Sequence, residues 1–360
     1  MNIMKCLDNM DRITLGTDIV MNMIKMYQFK GKEFYYKEIF EDDLDSISHQ
    51  TIEKETIYLS KLFGIELSDQ RRKLLLKKDA VAKNKDETLF LNIKNAFYLL
   101  HANVEAFEYN PNQYLDMAKF IFKNVRDTNV SFDTKTVEVH RSLFPEKKTV
   151  SKRDEFEKFL AKYEKMLKSE DYELTLLITN FFVDFINSKP FKTDNDKIGL
   201  VMLYILLFKE GFELFRYTSF FELVYNERQM FEQNCLQAAF NWDKGYSQTT
   251  PLHQQIIGIL LKGYKNVENL LRDYVYDIDL NKSDNIENTI SKLGELFTKD
   301  DIRAKHPYVS DSTINRTLKR LREQNVIRPL GVGRSAKWIK LYKDSKPDVY
   351  EQLRLFDDHE

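Results

Sequence analysis

The chain has 360 residues, 42% of them hydrophobic and 31% charged, which is ordinary for a globular protein long enough to form two or three domains. With 26 Phe and 19 Tyr but only 11 Gly and 7 Pro, a disordered chain and a turn-rich β sandwich are excluded and helices are favoured. Cys6 and Cys235 stand far apart, the six His are scattered, and no apolar run reaches the ~20 residues of a membrane span. These features predict no disulfide framework, no metal site, no membrane contact and a cytoplasmic location.

In chain order, residues 1–47 read as an irregular, partly helical arm whose aromatic run 27–39 packs onto the body. From Ser48 the pattern is helical: Ile52, Leu59, Leu62 and Phe63 share a face that ends near Gly64. Helices are expected at 69–82 and 86–101. In 128–150, Val130, Phe132, Val137 and Val139 stand among polar residues and Pro145 follows, which predicts a small β-hairpin flap. Helix returns at 152–169.

The two most apolar segments, 172–186 and 198–208, are apolar nearly all round and are expected to be central buried helices. The polar loop 187–197 joins them. The unpaired N–H groups at the start of the second helix favour an anion there. Helices are expected at 220–240 and 251–274, and a linker at 276–283.

The loop reads Lys189-Pro190-Phe191-Lys192-Thr193-Asp194-Asn195-Asp196-Lys197. It is preceded by LLITNFFVDFINS and followed by LVMLYILLFKEGF. In this setting it resembles the signature loop of the Fic (Fido) family, H-x-F-x-[D/E]-G-N-G-R-x-x-R, and the resemblance extends over about 40–275. It implies a Fic-like helical bundle with a flap. In that family the His deprotonates a target hydroxyl and the acid holds Mg²⁺ on ATP phosphates. The Gly-Asn-Gly turn and the arginines cradle the phosphates, and AMP is transferred to a protein target.

Carried over position by position, Lys189 stands where the base belongs and Phe191 is kept. Thr193 replaces the metal-binding acid, Asp194 the first glycine and Asp196 the second. Asn195 is kept, Lys197 replaces the first arginine, and Leu200 the second. An ordinary lysine, with a pKa of about 10.4, is no base at neutral pH. Two aspartates repel phosphate where glycines would let it approach, and lysine lacks the planar bidentate grip of arginine. A chain without efficient adenylyl transfer, and with no cofactor, is therefore expected. On the alternative reading, Phe191, Thr193, Asn195 and Lys197 still bind nucleotide, Asp194 or Asp196 holds the metal from a shifted position, and ATP and Mg serve a divergent protein adenylyltransferase or phosphate transferase.

Residues 48–55 resemble the family's inhibitory helix, [S/T]-x-x-x-E-[G/N], with Glu53 as its glutamate; an ordinary exposed Glu on an amphipathic helix is the competing reading. The expected partner position holds Leu200, so no salt bridge to it can form.

Residues 284–343 read as helix, short capped helix, third helix over 311–324, then a hairpin with Gly331 and Gly333 at its turn. This order resembles the winged helix-turn-helix family, an α+β module, followed by a tail at 344–360. Ser312, Asn315, Arg316, Lys319 and Arg320 on the third helix, with Arg334 and Lys337 on the wing, are the expected DNA contacts. Residues 299–343 carry about +8 against about −9 for the remainder, which fits an anionic partner. A module used for protein contacts is the competing reading, and a homodimer would supply two half-site contacts.

Overall fold

The computed structural model describes residues 4–77, 80–127, 129–139, 146–278, 282–307, 309–331 and 336–341. The chain divides into two compact units, Met1–Asn269 and Leu270–Glu360.

In the first unit the helices are α1 (Thr17–Lys30), α2 (Glu33–Ile39), α3 (Leu44–Leu62), α4 (Asp69–Lys77), α5 (Lys85–Asn103) and α6 (Pro111–Ile121). Strands β1 (Thr134–Val139) and β2 (Glu146–Ser151) follow, then α7 (Arg153–Ser169), α8 (Leu174–Ser188), α9 (Asn195–Lys209), α10 (Phe220–Asn226) and α11 (Arg228–Ala239). Helix α12 (Thr250–Ile278) continues past the division between the units. No described helix is long and apolar enough to cross a membrane.

The two greasiest segments form α8 and α9, the expected central pair. Phe181, Phe185, Met202, Leu203, Tyr204 and Leu207 are all shut off from water. Gly199 permits the close approach of the pair: a Cβ there would lie 2.5 Å from Ile186 Cγ2 and 3.3 Å from Phe185 Cδ1. Around them Phe156, Phe159, Tyr163 and Phe181 build an aromatic layer, with Phe159 and Phe181 stacked at 4.5 Å. Strands β1 and β2 pair antiparallel from Thr134↔Ser151 to Val139↔Glu146, forming the expected flap.

The structure refines two of these expectations and adds one helix. The N-terminal arm packs onto the body as expected but is more regularly helical, with Ile19, Met26, Tyr36 and Phe40 buried and the Cys6 and Leu7 N–H groups donating to the Asp184 carboxylate at 2.8 and 3.0 Å. The helix expected over 220–240 is two, because Glu227 leaves helical geometry between α10 and α11. The helix α6, capped by the Asn110 side chain with Pro111 at its start, lies in a stretch for which no element was named above.

The second unit holds α13 (Lys282–Lys292), β3 (Leu296–Phe297), α14 (Lys299–Lys305), α15 (Asp311–Glu323), β4 (Ile327–Pro329) and β5 (Trp338–Lys340), its strands in the order β3-β5-β4 with both pairings antiparallel. Thr298 starts α14 with a capping box to Asp301, and Ser310 caps α15. Ile286, Ile290, Phe297, Ile302, Ile314, Leu318, Leu321 and Trp338 form the core. Of the expected linker, 276–278 belong to α12 and 282–283 to α13, while 279–281 lie outside the described residues, as does the tail 344–360.

Candidate functional site

The loop between α8 and α9 is built on two left-handed residues. Lys189 ends α8 with φ 49°, its N–H donating to the Phe185 carbonyl at 3.2 Å, and Asp194 opens α9 with φ 57°. Between them Phe191 is 1% exposed and stacks on Phe132 at 5.0 Å. The backbone pairs there as well: Asp133 N–H donates to the Pro190 carbonyl at 2.8 Å, and Lys192 N–H to the Ser131 carbonyl at 3.1 Å. The loop thus runs as a short antiparallel partner to the base of the flap. Lys152 fastens the same point, its ammonium 3.0 Å from the Lys189 carbonyl and 2.9 Å from the Asp133 carboxylate.

Asn195 folds back on the loop. Its Oδ1 accepts the Phe191 N–H at 2.9 Å and its Nδ2 donates to the Phe191 carbonyl at 2.7 Å, so both ends of this 8% exposed amide are bonded inside the loop. The Asp194 side chain, also 8% exposed, is held by Arg126 through two nitrogens, with Nε 3.1 Å from Oδ2. Arg126 in turn lies over the Phe122 ring at 5.5 Å. The Asp194 carboxylate is therefore itself the anion of this corner. Lys197 sits over the Phe63 ring at 5.3 Å. Lys189, Thr193 and Asp196 are exposed.

This donor set does not fit a metal-bound nucleotide. Thr193 offers only an exposed hydroxyl, the Asp194 carboxylate is taken up by Arg126, and Asn195 has both amide ends occupied. Among the described residues no three His, Cys, Asp or Glu side chains converge as metal ligands.

On α3, Glu53 lies 3.7 Å from His49, one turn back on the same helix. The glutamate that reaches across the fold is Glu55. It is fully buried, and its carboxylate accepts the Ser219 hydroxyl at 2.7 Å and the Phe220 and Phe221 N–H groups at 2.8 and 2.9 Å, which caps α10 from a distance. Burial pushes its pKa up to about 8, although these three hydrogen bonds pull it down. The sequence did hold a signal: Glu55 sits three residues after Ile52 and four before Leu59, on the buried stripe of the helix.

On α15, Ile314, Thr317, Leu318 and Leu321 are buried, while Ser312, Asn315, Arg316 and Lys319 are exposed on the other face. Arg320 departs from that face: half-buried, it pairs with Glu287 of α13 at 2.6 Å. Lys337 is exposed next to β5, and Arg334 lies outside the described residues. Lys299 donates to the Asn315 Oδ1 at 2.6 Å, and Arg303 bridges Asp300 and Asp311.

Compared with known proteins, the chain matches no family profile and no curated sequence. Its fold is similar to the crystal structure of a Fic family protein from Desulfovibrio desulfuricans G20, with a TM-score of 0.52 and 12% identity over 93% of this chain and 99% of that one. At that identity the likeness establishes the fold: a Fic-like, mainly α architecture with a small β flap.

Proposed function

We propose that this chain is a DNA-binding regulatory protein, in which a winged helix-turn-helix unit holds DNA and the Fic-like unit serves as a scaffold without AMP transfer. The observation that carries the reading is the exposed face of α15. Ser312, Asn315, Arg316 and Lys319 line it at helical spacing, opposite a buried face of Ile314, Leu318 and Leu321, within the basic end of an otherwise acidic chain. Groups able to meet base edges and phosphates are thus gathered on one helix of a helix-turn-helix arrangement. The Arg126–Asp194 pair and the engaged Asn195 amide support the scaffold role of the loop. A homodimer would present two such faces to two half-sites, in the cytoplasm where the chain is expected to work.

The test is a gel-shift assay on random-sequence duplex with full-length protein. Wild type is expected to bind in a salt-sensitive manner, and Arg316→Ala with Lys319→Ala to lose most of that binding. Wild type that retains no duplex at low salt would sink the reading.

A second reading, protein adenylyltransferase or a related nucleotide or phosphate transferase, draws on the retained Phe191 and Asn195 between two buried helices. Labelled ATP with Mg²⁺ separates the two. Labelling of self or target that is lost on changing Lys189 or Asn195 would favour it.

A further inference from the structure

We propose that the second unit carries a binding site for a small acidic α-amino acid, in a cavity walled by α13, the end of α14 and the end of α12; the inference goes beyond the DNA-binding reading and does not depend on it. The cavity has a volume of about 230 Å³, and its lining residues all belong to Leu270–Glu360. That is below the roughly 300–1,000 Å³ of sites that take drug-sized ligands, so its size suits a small metabolite.

The polarity of the lining follows from the spacing of residues along α13. Asn285, Asn288, Thr289 and Lys292 fall at positions i, i+3, i+4 and i+7 and share one stripe, beside the apolar stripe of Ile286 and Ile290 that enters the core. Across the cavity His306 ends α14. Its ring bonds to the Thr289 hydroxyl, and its backbone N–H donates to the Ile302 carbonyl at 3.0 Å. Asn285 is 1% and His306 3% exposed, so an amide and an imidazole lie deepest in the lining. Of the described lining residues only Leu293 is apolar.

The rim brings charge of both signs. Lys305 comes from α14 and Asp273 from α12, both exposed, and neither forms an ion pair among the described residues. Lys292 adds a second ammonium from α13. A plain anion drawn to the lysines meets repulsion from Asp273, and a plain amine drawn to Asp273 meets repulsion from the lysines. A molecule that carries both a carboxylate and an ammonium answers both walls. The amides and the hydroxyl of the α13 stripe supply donors and acceptors to a polar side chain. With two lysines against one aspartate the lining is net positive, which favours an acidic amino acid.

Binding is measured by calorimetry on full-length protein, without DNA, using L-glutamate and glutarate, the same carbon skeleton lacking the amine. Glutamate is expected to bind about tenfold more tightly than glutarate, the scale of one charge-assisted contact. Asp273→Asn should remove that difference by weakening glutamate alone, and Lys305→Met should weaken both ligands. Both positions are exposed, so the unliganded variants should unfold at the same midpoint as wild type. Glutarate that binds as tightly as glutamate overturns the inference, as does a difference that survives in Asp273→Asn. Undiminished glutamate affinity in Lys305→Met puts the ligand elsewhere and overturns it too. No saturable heat from glutamate up to about 10 mM, a range that covers millimolar affinities, overturns it whether or not the chain binds DNA.

Discussion

At the scale of single residues, Glu55 does more for the fold than the glutamate that matches the inhibitory pattern. Glu53 fits that short pattern but, among the described residues, pairs with His49 on its own helix. Glu55 closes the N-terminus of α10 with three hydrogen bonds from inside the core. Asn195 teaches the same lesson. Its identity and position were legible, but not its two hydrogen bonds with the Phe191 backbone, since they depend on the loop folding back over four residues. Glu55 leads to a pH prediction. Its folded pKa, about 8, lies above the ordinary 4.5, so its contribution to stability is complete below pH 4.5 and is lost as pH rises through 8. One such group changes stability by at most about 1.4 kcal/mol per pH unit. Burial also raises Glu33 to about 7 and Asp184 to about 6, so they bend the profile the same way at lower pH. Urea unfolding from pH 5 to 8 should therefore show wild type losing stability, and Glu55→Gln should flatten the upper part of that fall. Parallel profiles for the two proteins would show that Glu55 does not titrate in this window.

At the scale of elements, runs of uniform hydrophobicity were readable and breaks in helices were not. The apolar segments 172–186 and 198–208 map onto α8 and α9 because a helix buried on all sides needs no polar face. Helices α1 and α2 were obscure because each buries only a few side chains: α1 hides Ile19 and Met26 while Met21 and Ile24 face water. The division between α10 and α11 follows from backbone angles at Glu227 that periodicity does not encode. The α8–α9 contact yields a prediction whose sign is set by two opposing magnitudes. In a helix, Gly199→Ala gains about 1 kcal/mol of propensity. The new methyl would sit 2.5 Å from Ile186 Cγ2, and overpacking of this kind costs about 1–3 kcal/mol. That atom branches from Cβ and is stiff in a helix, so it gives way poorly. Gly199→Ala is expected to be destabilising in urea titration, and Ile186→Ala in the same chain should reverse the sign of its effect. A stabilising Gly199→Ala on its own would mean that the two helices separate freely.

At the scale of the whole molecule, the sequence carries two charge regimes in one nearly neutral chain: the net charge is −1, with about +8 over 299–343. That asymmetry was legible from counting alone, but which cations point outward was not. Arg303 and Arg320 are engaged by Asp300, Asp311 and Glu287. Arg316, Lys319, Arg322, Arg328 and Lys337 remain exposed. If four to five cations neutralise phosphates, the logarithm of the binding constant should fall with the logarithm of salt at a slope of about −4. Doubling the salt would then weaken binding by about 15-fold. Substitution at a phosphate-contacting cation should reduce the slope by about 1, so Arg316→Ala and Lys319→Ala should each flatten it if they meet phosphate. Arg320→Ala should leave the slope nearly unchanged, because its guanidinium answers to Glu287 inside the unit. A slope near zero in wild type would mean that the basic end of the chain does not meet a polyanion. A loss in Arg320→Ala as large as in Arg316→Ala would place Arg320 on the binding face after all.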